Sequence, residues 1–188
     1  MLVVKQGQVV DTEDTARVRQ CPSQHFDARP IGEEINLLVI HGISLPPGEF
    51  GGGFVEAFFT DKLDYNMHNY FNEIKELKVS SHVFIDREGK MTQFVSFDNR
   101  AWHAGQSSFQ GRPACNDYSI GIELEGTDEI AYTDRQYQSL AELTCALMRS
   151  YSKIIPERIV GHSDIAPGRK TDPGPAFEWK RYLSQLNL

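Results

Sequence analysis

Residues 35–40 read INLLVI and run directly into His41. An apolar run of this length is typical of a strand that is buried on both faces of a sheet. YSIGIELEG, at residues 118–126, predicts a second strand, and RIV, at residues 158–160, predicts a short third one. In open α/β sheets, ligands and catalytic groups gather at the carboxyl ends of the strands. The polar side chains that follow these strands are therefore the first candidates for a functional site.

Working outward from INLLVI, strands and helices alternate along the whole chain. Residues 54–62 and 69–77 predict helices, and residues 81–86 and 91–96 predict a hairpin. Thr133 with Gln136 fits a capping box that opens a long amphipathic helix ending near residue 151. A C-terminal helix is expected after Pro175, residues 45–53 form a loop, and residues 1–34 are expected to be an irregular lead-in. The pattern predicts a single α/β domain over residues 1–188, with a central sheet flanked by helices on both faces.

The composition excludes several functional classes. The chain has 188 residues, of which 40% are hydrophobic and 24% charged, so a folded core is expected rather than disorder. The net charge of -7, without a basic run, argues against nucleic-acid binding. Three widely spaced cysteines without a CxxC pair indicate neither a disulfide framework nor a cysteine zinc site. With no signal peptide and no apolar membrane span in view, we expect a cytoplasmic monomer.

Three side chains suggest a metal site. His41 follows one predicted buried strand and His162 follows another, while Asp172 lies ten residues further on in GHSDIAPGRKTDPGP, residues 161–175. Two imidazoles and one carboxylate form a common catalytic zinc set, which leaves the fourth position to water. This stretch is too rich in proline and glycine for a helix, and its prolines lower the entropy of holding a ligand in place. Lys170, two residues before Asp172, would point the same way in an extended segment and could stabilise an oxyanion.

Glu123 is the candidate general base. In SIGIELEG the isoleucines and Leu124 alternate toward one face, so Glu123 points to the other. A carboxylate in the middle of such a strand requires a reason, because burying it unpaired is unfavourable. We expect Gly121 beside it to leave room for a ligand, and Glu123 to act on zinc-bound water.

Each assignment has an ordinary structural alternative. A single histidine after a strand is more often structural, Glu123 could face solvent, and Lys170 could be a solvated loop charge. The HExxH signature is absent. His82 and His103 either line the same pocket or are satisfied polar groups, whereas His25 and His68 are expected to be structural or exposed. Taken one at a time, these residues therefore indicate a zinc hydrolase only weakly.

Taken together, long segments of the chain resemble one known family. LLVIHGISLPPGEFGG, RAWHAGQSSFQGR, CNDYSIGIELEGTD, YTDRQYQSL and GHSDIAPGRKTDPGP occur in that order and resemble the AmpD-type cytoplasmic N-acetylmuramoyl-L-alanine amidases. The wider group includes peptidoglycan recognition proteins and the lysozyme of phage T7. The resemblance implies their mixed sheet flanked by helices and a single zinc ion. It also implies cleavage of the amide between the lactyl group of anhydro-N-acetylmuramic acid and L-alanine.

The resemblance also assigns roles to individual residues. It implies that His41, His162 and Asp172 bind zinc and that Glu123 and Lys170 are catalytic.

Removal of anhydro-muropeptides during peptidoglycan recycling would also damp β-lactamase induction where such a circuit exists. Three positions depart from what relatives commonly carry, with Gly42 in place of Asn and with Lys78 and Ala114 in place of Arg. A cation should meet the peptide carboxylates. The predicted substrate contacts are Lys78, Trp102, Arg112 and Asn116.

Three other interpretations remain open on the sequence. The first is a non-catalytic muropeptide-binding module of the peptidoglycan recognition type, although the presence of all five site residues favours catalysis. The second is a periplasmic or secreted amidase of the same fold. The third is a partner-binding protein in which zinc is structural.

Overall fold

The computed structural model describes residues 1–13 and 15–186. Its strands are β1 (Leu2–Lys5), β2 (Gln8–Asp11), β3 (Val18–Gln20), β4 (Phe26–Ala28), β5 (Leu37–Ile43), β6 (Val83–Ile85), β7 (Met91–Gln93), β8 (Asn99–Ala101), β9 (Ser108–Phe109), β10 (Arg112–Pro113), β11 (Ser119–Glu125) and β12 (Ile159–Gly161). Its α-helices are α1 (Phe54–Phe59), α2 (Asn69–Ile74), α3 (Asp134–Ser150), α4 (His162–Ile165) and α5 (Trp179–Ser184). Short 3-10 turns lie at Cys115–Asp117 and Pro156–Arg158.

A mixed six-stranded sheet in the order β12-β5-β11-β6-β7-β3 forms the centre of the fold. The first four strands are parallel to one another, and β7 runs antiparallel to β6. The predicted α/β domain with a central mixed sheet is confirmed, and so is the predicted hairpin, which is β6 and β7. The carboxyl ends of β12, β5, β11 and β6 therefore meet at one edge of the sheet.

The two faces of this sheet are chemically different. On one face Leu38, Ile40, Ile120, Ile122 and Leu124 pack with the apolar residues of α3 in one continuous core. On the other face the apolar packing is divided into two separate clusters. One joins Phe84 to residues of α1 and α2, and the other joins Leu37 and Val39 to Ile165 of α4. Helices thus cover both faces, as predicted, and the polar side chains of β5 and β11 lie on the divided face.

The capping box that opens α3 is confirmed, because the Thr133 hydroxyl accepts from the Gln136 backbone N–H and the Gln136 side chain accepts from the Thr133 N–H. The predicted bounds of other elements need small corrections. Helices α1 and α2 end at Phe59 and Ile74, several residues before the predicted ends. The chain leaves α1 through Asp61, whose φ of 57 is left-handed.

The expectation of an irregular lead-in over residues 1–34 is wrong, because this segment contains β1 to β4. Strands β1 and β2 form a hairpin across Gln6 and Gly7, which both have positive φ. Such a two-residue turn matches the twist of the paired strands, and glycine adopts positive φ at little cost. Strands β3 and β4 instead pair with the distant strands β7 and β8, a feature that local sequence does not reveal.

Among the described residues, none of the helices combines the length and the apolar character that crossing a membrane requires.

Candidate metal centre and catalytic cleft

The three predicted metal ligands converge at the carboxyl edge of the sheet. His41 lies inside β5 rather than after it, since that strand continues to Ile43. His162 begins α4, so the stretch expected to lack helix contains one helical turn. The Ser163 backbone N–H donates to the Asp172 carbonyl over 3.0 Å, which ties the Asp172 loop to the start of this helix.

Their ligand atoms face one another. The Nδ1 atoms of His41 and His162 are 2.9 Å apart, and Asp172 Oδ2 lies 3.3 Å from the first and 3.1 Å from the second. His41 is 1% exposed and His162 is also buried. Burial lowers the pKa of His41 to about 4, so this imidazole is neutral and offers a lone pair at neutral pH. Burial works against ionisation of Asp172, but the neighbouring imidazoles of His41 and His162 hold the pKa of its carboxyl below the ordinary value.

This donor set fits a bound cation. All three ligand atoms lie within 4.8 Å of one another. Converging lone pairs on two nitrogens and a carboxylate are unfavourable unless a proton or a cation lies between them. Two histidines with one carboxylate are also a common protein ligand set for catalytic zinc.

Glu123 stands beside this centre. In the parallel register of β11 and β5 it pairs with His41, and both side chains lie on the divided face. Its Oε1 atom is 3.9 Å from His41 Nδ1. Its Oε2 atom is buried and has no hydrogen-bond partner among the residues described. At 8% exposure the side chain does not face solvent, and burial together with the Asp172 charge raises the pKa of its carboxyl well above the ordinary range.

Lys170 supplies positive charge at the same place. Its charge acts on both Glu123 and His41, and it opposes the rise in the pKa of Glu123. Its side chain lines the cleft that also contains Glu123, His162 and Asp172. Within the described part of the chain, no acidic group lies within 4.0 Å of its ammonium, so this charge is free to meet a ligand.

The cleft that contains these groups has a volume of about 530 Å³. Apolar lining comes from the 45–48 loop, α1 and α2, including Leu45, Phe58 and Tyr70. Polar lining comes from residues 126–128 and 169–172. Such a cleft has room for a small-molecule ligand with an apolar part beside its reacting centre.

The four predicted substrate contacts are not among the described residues that line this cleft. Two of them are exposed cations with acidic partners. The Lys78 ammonium lies 2.7 Å from Asp61 Oδ1. Arg112 pairs with Glu33 and lies on the Tyr118 ring at 3.9 Å. A role for either cation in substrate binding stays a prediction.

The other two predicted contacts are held by the protein itself. The Trp102 indole N–H donates to Asp27 over 3.2 Å, and its ring stacks on His25. Asn116 Oδ1 accepts the backbone N–H groups of His103 and Ala104. These bonds occupy the Trp102 indole N–H and Asn116 Oδ1, and a substrate role for either side chain likewise stays a prediction.

Sequence reasoning missed the arrangement around Gly121. The space beside this glycine, expected to admit a ligand, holds the imidazole of His103, and a Cβ at Gly121 would overlap that ring. The glycine beside Glu123 would have been the signal that a bulky group approaches the strand. His82 is a satisfied polar group, because its Nδ1 accepts from the Gly121 N–H and its Nε2 lies 3.1 Å from the Asn99 carbonyl.

Gly42, which follows the first ligand, also admits a neighbouring side chain. A Cβ there would overlap the hydroxyl of Tyr132. That hydroxyl donates to the Pro173 carbonyl over 3.0 Å and so ties the segment before α3 to the residue after Asp172. The absence of a side chain at Gly42 thus allows Tyr132 to pack against the strand close to the candidate metal ligands.

Comparison with known proteins agrees with this geometry. The sequence profile of the N-acetylmuramoyl-L-alanine amidase family matches residues 31–175, a range that includes His41, Glu123, His162, Lys170 and Asp172. The chain belongs to this family. The amidase is 59% identical over 168 residues to the 1,6-anhydro-N-acetylmuramyl-L-alanine amidase AmpD of Haemophilus influenzae, covering 89% of this chain and 91% of the relative.

Solved structures extend the likeness of this amidase to three dimensions. A crystal structure of a selenomethionine AmpD derivative superposes with a TM-score of 0.91 at 53% identity, covering 99% of both chains. The Escherichia coli amidase AmiD was solved with anhydro-N-acetylmuramic acid-L-Ala-D-γ-Glu-L-Lys as its substrate. It superposes with a TM-score of 0.58 at 28% identity and covers 98% of this chain and 65% of AmiD. The protein is therefore an amide hydrolase with the amidase fold.

Proposed function

We propose that this amidase is a zinc enzyme that cleaves the amide between the lactyl group of anhydro-N-acetylmuramic acid and L-alanine. The observation that carries the proposal is the pairing of Glu123 with His41 in one register. This pairing aims a buried, unpartnered carboxylate at a cluster of three ligand atoms. The names of the AmpD relatives and the substrate bound to AmiD support the choice of an anhydro-muropeptide.

The residues assigned to the metal are His41, His162 and Asp172, with one zinc ion as the cofactor. When bound, zinc polarises a carbonyl and lowers the pKa of water to about 7. The protein's part is to hold three ligands on a strand, a helix start and a proline-bounded loop.

Glu123 performs the proton transfers. Because its raised pKa favours proton uptake, its carboxylate accepts a proton from the attacking water. The same oxygen then returns that proton to the leaving nitrogen of L-alanine, which allows the C–N bond to break. Lys170, with no acidic partner in its own loop, donates to the oxygen that gains negative charge in the tetrahedral state.

We propose that positively charged side chains of the protein recognise the carboxylates of the substrate peptide. Lys78 and Arg112 would exchange their present partners, Asp61 and Glu33, for carboxylates of the peptide. In the cell we propose a cytoplasmic role in peptidoglycan recycling, with an indirect role in damping β-lactamase induction. The protein would work as a monomer on a small-molecule substrate.

A mass-spectrometric digest of anhydro-muramyl-tripeptide tests the proposal. We expect free tripeptide from the zinc-loaded protein and none after chelation, with recovery when zinc is restored. Glu123→Gln should lower turnover by about 100- to 10,000-fold with the zinc content unchanged, because a base of this kind contributes that much. Lys170→Met should also lower turnover, whereas Lys180→Met, an exposed lysine on α5, should not.

Two results would contradict this function. Turnover that survives complete removal of zinc would exclude the metal mechanism. Intact substrate in the presence of zinc-loaded protein would favour the second candidate, a muropeptide-binding module without catalysis. Near-normal turnover in Glu123→Gln would refute only the role assigned to that residue.

A further inference from the structure

The His41 nitrogen that faces away from the other predicted ligands, Nε2, is hydrogen-bonded to another histidine, His103. His41 Nδ1 faces the ligand cluster, and its Nε2 lies 2.9 Å from His103 Nδ1. A nitrogen that binds a metal needs a free lone pair, so the His41 proton is on Nε2 and is donated to His103. His103 must then carry its own proton on Nε2, where Ser119 Oγ accepts it over 3.1 Å. The chain of bonds has one consistent direction, from His41 through His103 to Ser119.

Ala104, the residue after His103, fixes the protonation of the second proposed ligand, His162, in the same way. His162 Nε2 lies 3.2 Å from the Ala104 carbonyl oxygen, which accepts its proton. This leaves Nδ1 of His162 as the metal-binding atom, in agreement with the direction in which it points. Arg169 donates to the same carbonyl over 2.7 Å and so fixes its position.

Both contacts come from one short segment, and a third side chain holds that segment. Asn116 Oδ1 accepts the His103 N–H over 3.2 Å and the Ala104 N–H over 2.8 Å. The His103 ring is buried, lies edge-on to the His41 ring at 5.0 Å between centroids, and fits only because Gly121 has no side chain. The imidazole of His103 therefore has little freedom to move.

We propose that His103 and Ala104 set the protonation and the orientation of both histidine ligands, and that Asn116 holds these two residues in place. The inference rests on the metal site of the proposed function. It gives His103 and Asn116 positioning roles, since neither touches the reacting atoms. Bonds of this kind raise the basicity of a ligand and fix its ring, and their loss typically weakens metal binding by about 10- to 100-fold.

The test is zinc affinity, measured on metal-free protein by competition with a chromogenic chelator. His103→Leu removes the acceptor for His41 and should weaken zinc binding by about 10- to 100-fold. His103→Asn places an amide oxygen near the position of Nδ1 and should recover most of the affinity. Asn116→Ala should weaken binding, while Asn116→Asp, which keeps the accepting oxygen, should not.

His25→Leu is the matched control, because it also removes a buried imidazole whose nitrogens bond elsewhere, to the Val79 carbonyl and to Asp61. It should lower thermal stability and leave zinc affinity unchanged. The melting temperature of each metal-free variant separates loss of folding from loss of affinity. If His103→Leu does not fold, the two Asn116 variants carry the test alone.

The outcomes separate this inference from the proposed function. If the wild-type protein binds no zinc, the function itself is wrong. If the wild type binds zinc and either His103→Leu or Asn116→Ala binds it equally tightly, the positioning role is wrong. Equal losses of affinity in His103→Asn and His103→Leu would also overturn it, because packing rather than the accepting atom would then be responsible.

Discussion

Replacing Gly121 by alanine should weaken the proposed metal centre in addition to weakening the fold. The new Cβ would lie closer than 3.0 Å to three atoms of the His103 imidazole. The ring cannot retreat freely, since its two nitrogens are bonded to His41 and to Ser119. Either the strand shifts or the imidazole leaves its place, and both changes disturb the acceptor of the His41 proton.

The size of the effect follows from these contacts. Forcing a methyl group into a packed site costs about 1–3 kcal/mol, so we expect the free energy of unfolding of the metal-free protein to fall by about 2 kcal/mol. Displacing the His103 nitrogen should weaken zinc binding by about tenfold, the lower end of the range for loss of a hydrogen bond to a metal-binding histidine. A tenfold loss of affinity corresponds to about 1.4 kcal/mol at a fixed excess of free zinc. The zinc-loaded protein should therefore lose about 3.4 kcal/mol.

Urea unfolding of the metal-free and zinc-loaded forms measures both quantities. Gly89→Ala is the control, because its Cβ would overlap Arg135 and Ser139 of α3 instead of His103. We expect this control to lose similar stability in both forms. If Gly121→Ala also loses the same stability with and without zinc, the link between the glycine and the metal ligands is refuted.

Three further predictions concern the rest of the molecule. Arg29, whose pKa burial lowers only to about 10, stays charged and donates to the carbonyls of four residues. Arg29→Met should therefore lower the urea unfolding free energy by about 3–5 kcal/mol, with poor recovery in Arg29→Lys. Glu125 accepts the backbone N–H groups of Gly51 and Arg87, so Glu125→Ala should speed proteolysis within the 45–53 loop and leave zinc affinity unchanged; protection equal to wild type would contradict this. Hydrogen bonds from Arg100 lower the pKa of Asp27 below its unfolded value of about 3.9. The stabilisation of the folded state by this ion pair is therefore present above about pH 4 and is lost as the pH falls. Asp27→Asn should flatten this acid limb of the stability profile, and an unchanged slope would argue against the ion pair.

The sequence predicted the part of the site that depends on strand direction. His41 and Glu123 lie on strands whose apolar neighbours reveal which face each residue takes, and parallel pairing brings those faces together. His162 follows a third parallel strand, so its place at the same edge also follows from local pattern. The resemblance to a known family then added roles that no single spacing could supply.

What sequence reasoning missed depends on long-range contacts. The His103 imidazole contacts His41, which is distant in sequence, and Asn116 holds the His103 backbone in place. No periodicity in the sequence marks such contacts. The glycine at position 121 was noticed, but sequence could not tell whether its space belonged to a ligand or to the protein. The N-terminal strands were missed because Gln-Gly is a weaker turn signal than Asn-Gly, and because β3 and β4 pair with distant partners.

The difference between the two faces of the sheet explains how the buried carboxylate of Glu123 is held in place. An unpartnered carboxyl oxygen in a low-dielectric setting is unfavourable, and a flexible backbone would relieve it by moving the side chain toward water. Strand β11 cannot move in this way, because it is hydrogen-bonded on both sides, to β5 and to β6, and because Ile122 and Leu124 are fixed in the core against α3. The apolar face thus holds the polar face in a geometry that the polar groups alone would not keep. This constraint supports the proton acceptance that we propose for Glu123 beside the proposed metal ligands.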